Sequence, residues 1–345
     1  MNTRGAVLRE LGAPLSIEEL SVPAPTTGQV LVEIAYSGLC HTQFSEVSGR
    51  KGPDRFLPHT LGHEAAGTVI AVGPGVVKVG EGDPVVVTWI KAAGADVPST
   101  HYESEHGTVN AGAAATFLRH ALISENRLVP LVPQMPLREA ALLGCAVLTG
   151  AGIVRNTLRV AAGESIAVLG AGGIGLCAIM AAHAVGANPI VAVDVQLERL
   201  AKALELGATH VVDARSDDVV DAIRALTGGL GTQFAIESAG TKESMEAVLG
   251  VVHNGGTAVL AGNLGAGERV AIDPFELIRG KRLVGSWGGE SIPDIDVPYY
   301  ADNFLSGRLP LDSLIFREYP LDNINDALAD LSQIIVGRAL IALAG

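Results

Sequence analysis

Three side chains in this sequence, those of Cys40, His63 and Cys145, are of the types that bind a transition metal. Their spacing matches no zinc-finger pattern, so spacing alone decides little. The residue types say more, because two thiolates and one imidazole suit Zn²⁺ and leave a fourth position open for water or substrate. Such a site carries no net charge and favours the deprotonated form of a bound alcohol, from which a hydride can leave for a nicotinamide. The alternative stays open at this point, since a single cysteine is more often a small buried apolar residue.

A glycine-rich segment forms the second candidate site. It follows the apolar run at 166–169 and reads Gly170-Ala171-Gly172-Gly173-Ile174-Gly175. A G-x-G-x-x-G pattern between a strand and a helix lets the backbone approach a pyrophosphate at the positive end of that helix. Asp194 ends the next apolar run, where a carboxylate accepts from a ribose 2′-hydroxyl and repels a 2′-phosphate. NAD is therefore favoured over NADP, although the positive charge of the nearby Arg199 weakens that preference. The alternative interpretation of the glycine segment is a packing turn that binds no ligand.

The elements that position these residues change character near residue 150. Before it, short runs predict strands at 30–34, 67–73 and 85–87, and the polar stretch 91–112 predicts a long surface loop. After it, a helical stretch at 196–206 accompanies buried apolar runs at 166–169, 190–193, 211–212, 234–236 and 258–260. This alternation predicts an α/β fold with a doubly wound parallel sheet at 150–284, inserted into a domain made from 1–149 and 285–345. The tail after 285 is expected to lack helix–strand alternation.

Composition limits the class of protein. The 345 residues, 48% of them apolar, provide material for about two folded domains. The net charge of −13 argues against a general affinity for nucleic acid or anionic lipid. Three widely spaced cysteines make a poor disulfide framework and favour the cytoplasm. Residues 1–14 do not read as a signal peptide, and the uncharged stretch 166–182 reads as strand, turn and helix rather than a membrane span.

The sequence resembles the zinc-containing medium-chain alcohol dehydrogenases over nearly its whole length. The segments that carry the resemblance are Gly38-Leu39-Cys40-His41-Thr42, Leu61-Gly62-His63-Glu64-Ala65-Ala66-Gly67, Gly80-Glu81-Gly82-Asp83, Leu143-Gly144-Cys145 and the glycine loop. The Gly-His-Glu segment followed by Gly67 is the most specific of them. The resemblance implies a Rossmann domain joined to a GroES-like β-barrel catalytic domain, with Zn²⁺ and NAD as cofactors.

The resemblance also implies roles in catalysis. Cys40, His63 and Cys145 correspond to the ligands of the catalytic zinc, and Glu64 to a nearby carboxylate that tunes or transiently enters the metal shell. Thr42 corresponds to the hydroxyl that receives the proton of the alcohol and passes it to the cofactor ribose.

Further positions are assigned to the cofactor and the substrate on the same basis. His41 and Arg338 match residues that face the pyrophosphate, and Thr149 matches one beside the nicotinamide. Candidates for the walls of the substrate pocket are Trp89, Asn263 and Trp287. For Trp89, ordinary core packing is the alternative to a role in the pocket.

The sequence departs from the family at a second metal site. Many relatives hold a structural zinc with four cysteines, but this chain has no cysteine between 41 and 144. The stretch 91–112 contains His101, Glu103, Glu105 and His106, which we expect to be solvated rather than to form a compensating metal site.

Two residues next to Thr42 also depart from the family. Ser45 stands where several relatives have a histidine, and a hydroxyl cannot buffer a proton as imidazole does. We therefore expect loss of the alcohol proton to depend more directly on bulk base. Gln43 stands where relatives often have an acid, and its amide is expected to hold His63 without adding negative charge.

The function that these observations predict is hydride transfer between an alcohol, or the matching aldehyde or ketone, and NAD. Three alternatives remain: an enzyme that retains and recycles its nicotinamide in place, a metal-free reductase of the same superfamily, and a dinucleotide-binding protein without turnover. The expected partners are a small-molecule substrate and further copies of the chain, as a dimer or tetramer joined through the nucleotide-domain sheets.

Overall fold

The computed structural model describes residues 1–333 and 336–343, which divide into two compact units. The first unit comprises Met1–Cys145, Ile292–Gly307 and Leu311–Gly345, and the second comprises Ala146–Ser291 and Arg308–Pro310. The N-terminal segment and the last described residues therefore both belong to the first unit. The chain crosses between units after 145 and after 291, where the sequence suggested crossings after 149 and after 284, and it returns briefly to the second unit at 308–310.

The N-terminal part of the first unit is built mainly from strands. In chain order they are β1 (Asn2–Leu8), β2 (Ser16–Ser21), β3 (Gln29–Leu39), β4 (His59–Thr60), β5 (Glu64–Val72), β6 (Pro84–Thr88), β7 (Ser99–Ser104), β8 (Gly107–Gly112), β9 (His120–Ser124) and β10 (Leu128–Pro130). Strands β1, β2, β7, β8 and β4 close into a small barrel, while β10, β6, β5 and β3 lie in one sheet with β9 paired to β3. The strands predicted at 30–34, 67–73 and 85–87 fall on β3, β5 and β6, so those predictions are confirmed.

The prediction of a loop over 91–112 is wrong for its second half. Strands β7 and β8 form an antiparallel hairpin there, with Tyr102 opposite Val109 and Thr100 opposite Ala111. These four residues are buried, whereas the residues between them are mostly exposed. The alternation has the period of a strand, but small and polar residues on both faces concealed it in the sequence.

Parallel strands and helices make up the second unit. Its sheet contains β11 (Ile166–Leu169), β12 (Ile190–Asp194), β13 (His210–Asp213), β14 (Thr232–Glu237), β15 (Val252–Leu260) and β16 (Arg282–Gly285). After α1 (His41–Val47) and α2 (Leu137–Ala140) of the first unit, the helices continue here as α3 (Ala146–Gly152), α4 (Gly173–Ala184), α5 (Leu197–Glu205), α6 (Val219–Leu226), α7 (Lys242–Ala247) and α8 (Pro274–Ile278). The strand order β13-β12-β11-β14-β15-β16, parallel throughout, is that of a doubly wound nucleotide-binding sheet and confirms the predicted fold.

The uncharged stretch 166–182 is strand β11, the glycine loop and most of α4, as the sequence predicted. Strand β11 is buried along its whole length, which accounts for its unbroken apolar run. Within residues 1–333 and 336–343, no single helix is both long and apolar enough to cross a membrane, although 137–144 and 146–157 would pass together on length and composition.

The tail after 285 contains α9 (Pro293–Leu305), β17 (Ile315–Pro320), α10 (Ile324–Gln333) and β18 (Arg338–Ala342). The expectation that this tail lacks helix–strand alternation is therefore wrong. Prolines obscured the helix, yet Pro293 occupies the first turn of α9, where its missing N–H removes no helical hydrogen bond. Strand β18 pairs with β3 and β17, which extends the sheet of the first unit.

Candidate metal centre and nucleotide loop

Cys40, His63 and Cys145 meet within the first unit. Cys40 directly follows β3 and caps the start of α1, His63 immediately precedes β5, and Cys145 is the last residue before α3. One ligand atom from each side chain lies within 4.8 Å of the other two. A tetrahedral zinc with bonds of about 2.0–2.3 Å needs its ligands close to one another in this way.

The electrostatics of the cluster favour a thiolate. Cys40 and Cys145 are both buried, which by itself raises a thiol pKa. The pKa of Cys40 nevertheless lies well below its usual value, because of a hydrogen bond with Cys145, the positive charge of Arg338 and the neighbouring His63. The thiolate is the form that binds metal, so the donor set fits Zn²⁺.

Gly62 places His63 at the end of its loop. Its φ of +91° lies in the left-handed region, and a Cβ at this position would stand 2.2 Å from Thr116 Oγ1. Any other residue here would have a strained backbone, and its side chain would clash with the adjacent segment that contains Thr116. The glycine before the histidine is thus explained by the backbone that presents the imidazole.

Gln43 links two of the three predicted ligands. Its side chain is fully buried on α1, its Nε2 lies 2.5 Å from His63 Nδ1, and its Oε1 accepts a hydrogen bond of 2.9 Å from the backbone N–H of Cys40. The expectation that the amide holds His63 is confirmed. The contact fixes the orientation of the imidazole ring without a carboxylate.

Glu64 and Arg338 form a buried ion pair next to the ligands. Glu64 follows His63 directly and is fully buried, and its Oε1 contacts Nη2 of Arg338. Arg338 begins β18, which pairs with β3 antiparallel, so that Ala339 lies opposite Leu39. Removing either partner would leave a buried charge without compensation. The family resemblance predicts that Arg338 faces the pyrophosphate, and the structure shows that it also contacts Glu64.

The glycine loop lies in the second unit between β11 and α4. An added Cβ at Gly175 would stand 1.9 Å from the carbonyl oxygen of Gly170, so helix and strand pack too closely for a side chain. Asp194 ends β12, and its carboxylate accepts hydrogen bonds from the backbone N–H groups of Ala171 at 2.8 Å and Gln196 at 3.0 Å. Arg199 Nη1 lies 3.8 Å from Asp194 Oδ2. Asp194 therefore stabilises the glycine loop by a hydrogen bond, and it does so from the position predicted for ribose recognition.

Comparison with known proteins settles the family. Residues 26–134 match the alcohol dehydrogenase GroES-like domain and residues 173–304 the zinc-binding dehydrogenase domain. An S-(hydroxymethyl)glutathione dehydrogenase of Synechocystis is 31% identical, with 95% of this chain and 96% of the relative covered. The chain belongs to the zinc-containing medium-chain alcohol dehydrogenase family. This membership accounts for one catalytic Zn²⁺ and for NAD, as the sequence predicted.

Solved structures of relatives agree with this membership. An alcohol dehydrogenase zinc-binding domain protein from Burkholderia ambifaria superposes with a TM-score of 0.92 at 36% identity, and both chains are covered completely. Benzyl alcohol dehydrogenase from Acinetobacter calcoaceticus gives a TM-score of 0.91 at 31% identity, again with both chains covered completely. The predicted combination of a GroES-like and a Rossmann domain is therefore confirmed.

The other site residues predicted for this dehydrogenase are divided between the two units. On α1, His41 is exposed, while Thr42 and Ser45 are half-buried. Thr149 lies buried in α3, and its Oγ1 has no hydrogen-bond partner among the described residues. An orphaned hydroxyl of this kind suits a position expected to face a polar cofactor.

A cavity of about 270 Å³ adjoins the metal centre and is lined by residues of the first unit alone. Both His63 and Trp89 line it, so the aromatic residue predicted for the substrate pocket shares a cavity with a predicted metal ligand. Asn263 and Trp287 belong to the second unit, are exposed there and do not line this cavity. Their place in a substrate pocket stays a prediction.

The stretch 91–112, which lacks the cysteines of a structural zinc site, contains the β7–β8 hairpin. In the described part of the chain, Cys40, His63 and Cys145 form the one cluster of potential ligands that is close enough to hold an ion. His101, Glu103, Glu105 and His106 are exposed, as expected of solvated side chains. Cys177 is fully buried in α4, where burial raises the pKa of its thiol, in keeping with a core residue.

Arg127 and His59 also line the cavity, although neither was predicted from the sequence. Arg127 sits between β9 and β10, outside the ligand motifs, while His59 lies on β4 shortly before His63. Tertiary packing brings Arg127 to the cavity, whereas His59 lies next to the His63 motif and could have been found from its position in the sequence.

Proposed function

We propose that this chain catalyses reversible hydride transfer between an alcohol and NAD, with one Zn²⁺ held by Cys40, His63 and Cys145. The observation that carries the proposal is the close approach of these three ligand atoms in a member of the zinc-containing alcohol dehydrogenase family. When bound, Zn²⁺ supplies a Lewis acid that lowers the pKa of a coordinated hydroxyl group. The reverse reaction, reduction of an aldehyde or ketone, uses the same groups.

Side chains of this protein are proposed to transfer the proton of the alcohol and to orient the zinc ligands. Thr42 takes the proton of the alcohol, and Ser45, on the same helix, relays it through water. Gln43 keeps the His63 ring oriented, and the Glu64–Arg338 pair sets the charge beside the thiolates. His41 and Arg338 face the cofactor pyrophosphate, in line with the family resemblance.

The cofactor is proposed to be NAD rather than NADP. Asp194 presents a carboxylate at the end of β12, with one oxygen bonded to the glycine loop. A fixed negative charge at this position suits a ribose diol and repels a 2′-phosphate. The nicotinamide is proposed to lie against Thr149, whose hydroxyl lacks a protein partner among the described residues.

The proposal is tested by a spectrophotometric screen of alcohols and aldehydes, with NAD and NADP, on protein whose zinc content is measured. We expect alcohol-dependent NADH formation that is lost on chelation and recovered with Zn²⁺. Full activity of metal-free protein would favour the metal-free reductase. Turnover only with an external carbonyl acceptor, without added NAD, would indicate a retained cofactor. Zinc and NAD binding without any turnover would indicate a non-catalytic protein.

We further propose a homo-oligomer joined through the sheets of the second unit. Strand β16 lies at the edge of that sheet and is largely exposed. Apolar side chains near it are also exposed, with Val284 at 38% and Ile278 at 74%. Exposed apolar side chains beside an open strand edge suit pairing with a second copy. Light scattering of the Val284→Lys variant tests this, since a smaller assembly than the parent is expected.

The compartment proposed is the cytoplasm. The three cysteines are buried and form no disulfide among the described residues, and the metal centre requires two of them as thiolates. A reducing environment preserves that state. Fractionation of the producing cells, followed by detection of the protein, tests the location.

A further inference from the structure

The cavity beside His63 contains a cationic group that the proposed chemistry does not use. Arg127 lines it together with His63 and Trp89, and its side chain is half-buried. Gly112 and Ala113 contribute little bulk to the same cavity. A small molecule can therefore occupy the space that the metal ligand and the guanidinium both border.

The guanidinium of Arg127 has spare hydrogen-bonding capacity. Its Nη1 donates to the backbone carbonyl of Trp89, while its Nε is buried and has no partner among the described residues. Burial lowers the pKa of Arg127, against the opposing effect of Asp96. The carboxylate of Asp96 itself accepts a hydrogen bond from Lys91 at 2.7 Å. A partly desolvated guanidinium without a bonded carboxylate is costly unless a ligand supplies one.

The acidic groups around the cavity already have side-chain partners. Glu46 contacts Lys51 at 2.9 Å, and His59, which also lines the cavity, contacts Asp54 at 2.8 Å. Among the described residues, Arg127 thus lines the cavity without a hydrogen-bonded carboxylate of its own. A planar guanidinium binds a carboxylate through two parallel hydrogen bonds, which also fixes the direction of the bound molecule.

We propose that Arg127 binds a carboxylate of the substrate, so that the preferred substrates are hydroxy acids and the matching oxo acids. The hydroxyl or carbonyl group then lies on the His63 side of the cavity, and the carboxylate lies against the guanidinium. This inference rests on the proposed alcohol dehydrogenase function and adds the substrate class to it.

The test compares 4-(hydroxymethyl)benzoate with the neutral 4-methylbenzyl alcohol in the zinc- and NAD-loaded protein. We expect a higher kcat/KM for the acid, and a loss of roughly 10- to 100-fold for the acid alone in Arg127→Gln, which is the range for a charged hydrogen bond. Arg127→Lys keeps the charge without the planar fork and is expected to fall between the two. Arg119→Gln, which changes a half-buried arginine paired with Glu33, is the matched control.

A binding measurement separates this inference from the proposed function. Calorimetry with 4-methylbenzoate, which has no reacting hydroxyl, is expected to show binding that Arg127→Gln removes and Arg119→Gln retains. Such binding in a protein that oxidises no alcohol would refute the proposed function and leave the carboxylate site standing. Equal kcat/KM for the two alcohols, or equal losses for both in Arg127→Gln and Arg127→Lys, would overturn the inference.

Discussion

Gln43 Nε2 lies 2.5 Å from Nδ1 of His63, while the oxygen of the same amide accepts the backbone N–H of Cys40. One neutral side chain thus connects two predicted zinc ligands that are far apart in the sequence. A carboxylate in this position would add negative charge to the metal centre, and an amide does not. The amide therefore orients the His63 ring without the negative charge that would make a bound metal less electrophilic.

The first prediction concerns zinc affinity. Gln43→Ala removes the group that orients His63, and we expect the affinity for Zn²⁺ to fall by roughly 10- to 100-fold. Gln43→Glu restores a partner with negative charge and is expected to bind Zn²⁺ at least as tightly as the parent. Competition with a chromophoric chelator measures both, and an unchanged affinity in Gln43→Ala would contradict this role.

The second prediction separates a ligand cysteine from a core cysteine. Cys145→Ala removes one of three predicted ligands, so we expect loss of stoichiometric zinc and of alcohol oxidation. Cys177→Ala is the control, because Cys177 is also buried but lies in α4, outside the cluster. Elemental analysis and turnover are measured on both variants. Zinc retained at full occupancy by Cys145→Ala would rule out the assigned ligand set.

The third prediction concerns the proton relay. Ser45 is half-buried on α1, three residues beyond Thr42. Ser45→His introduces a group that titrates near neutral pH, so we expect a faster alcohol oxidation below pH 8 and a weaker dependence on buffer concentration. Pre-steady-state rates across pH measure the effect. A pH profile identical to that of the parent would show that position 45 takes no part in proton transfer.

The fourth prediction concerns cofactor choice. Asp194→Asn keeps an oxygen for the N–H of Ala171 but removes the negative charge, so the preference for NAD over NADP should fall by roughly tenfold or more. Asp213→Asn is the matched control, since Asp213 pairs in register with Asp194 on the next strand and bonds to Arg215. The ratio of kcat/KM values for the two cofactors is the measurement. A ratio unaffected in Asp194→Asn would show that another group selects the cofactor.

The fifth prediction concerns stability in acid. Two hydrogen bonds of 2.7 Å from Arg9 hold the pKa of Glu18 at about 2. Because the folded pKa lies below the unfolded value of 4.5, the stabilisation is complete above that value and is lost as pH falls towards 2. Glu18→Gln should therefore lower the free energy of unfolding by about 1–2 kcal/mol at pH 7, after screening by solvent, and by much less near pH 2. Urea denaturation at both pH values measures the difference, with the exposed Glu10→Gln as control. A loss of equal size at both pH values would contradict the assignment.

The sequence predicted the features that depend on neighbours along the chain. Strand β11, the glycine loop, α4 and Asp194 follow one another within a single βαβ unit, and the pattern of apolar residues and glycines defines that unit locally. The same holds for the Gly62–His63 pair, where the backbone conformation itself requires glycine. The β7–β8 hairpin was missed because small and polar residues lie on both of its faces, which hides the period of two.

Residue types by themselves determined that Cys40, His63 and Cys145 could form a zinc site, since donor chemistry depends on the side chain alone. Tertiary structure decided that Gln43 orients His63, that Glu64 pairs with Arg338, and that Arg127 reaches the cavity next to Trp89. Each of these contacts joins elements that are distant in the chain and adjacent only through strand pairing. Contact between such residues depends on how whole sheets and helices pack, and no local pattern of sequence records it.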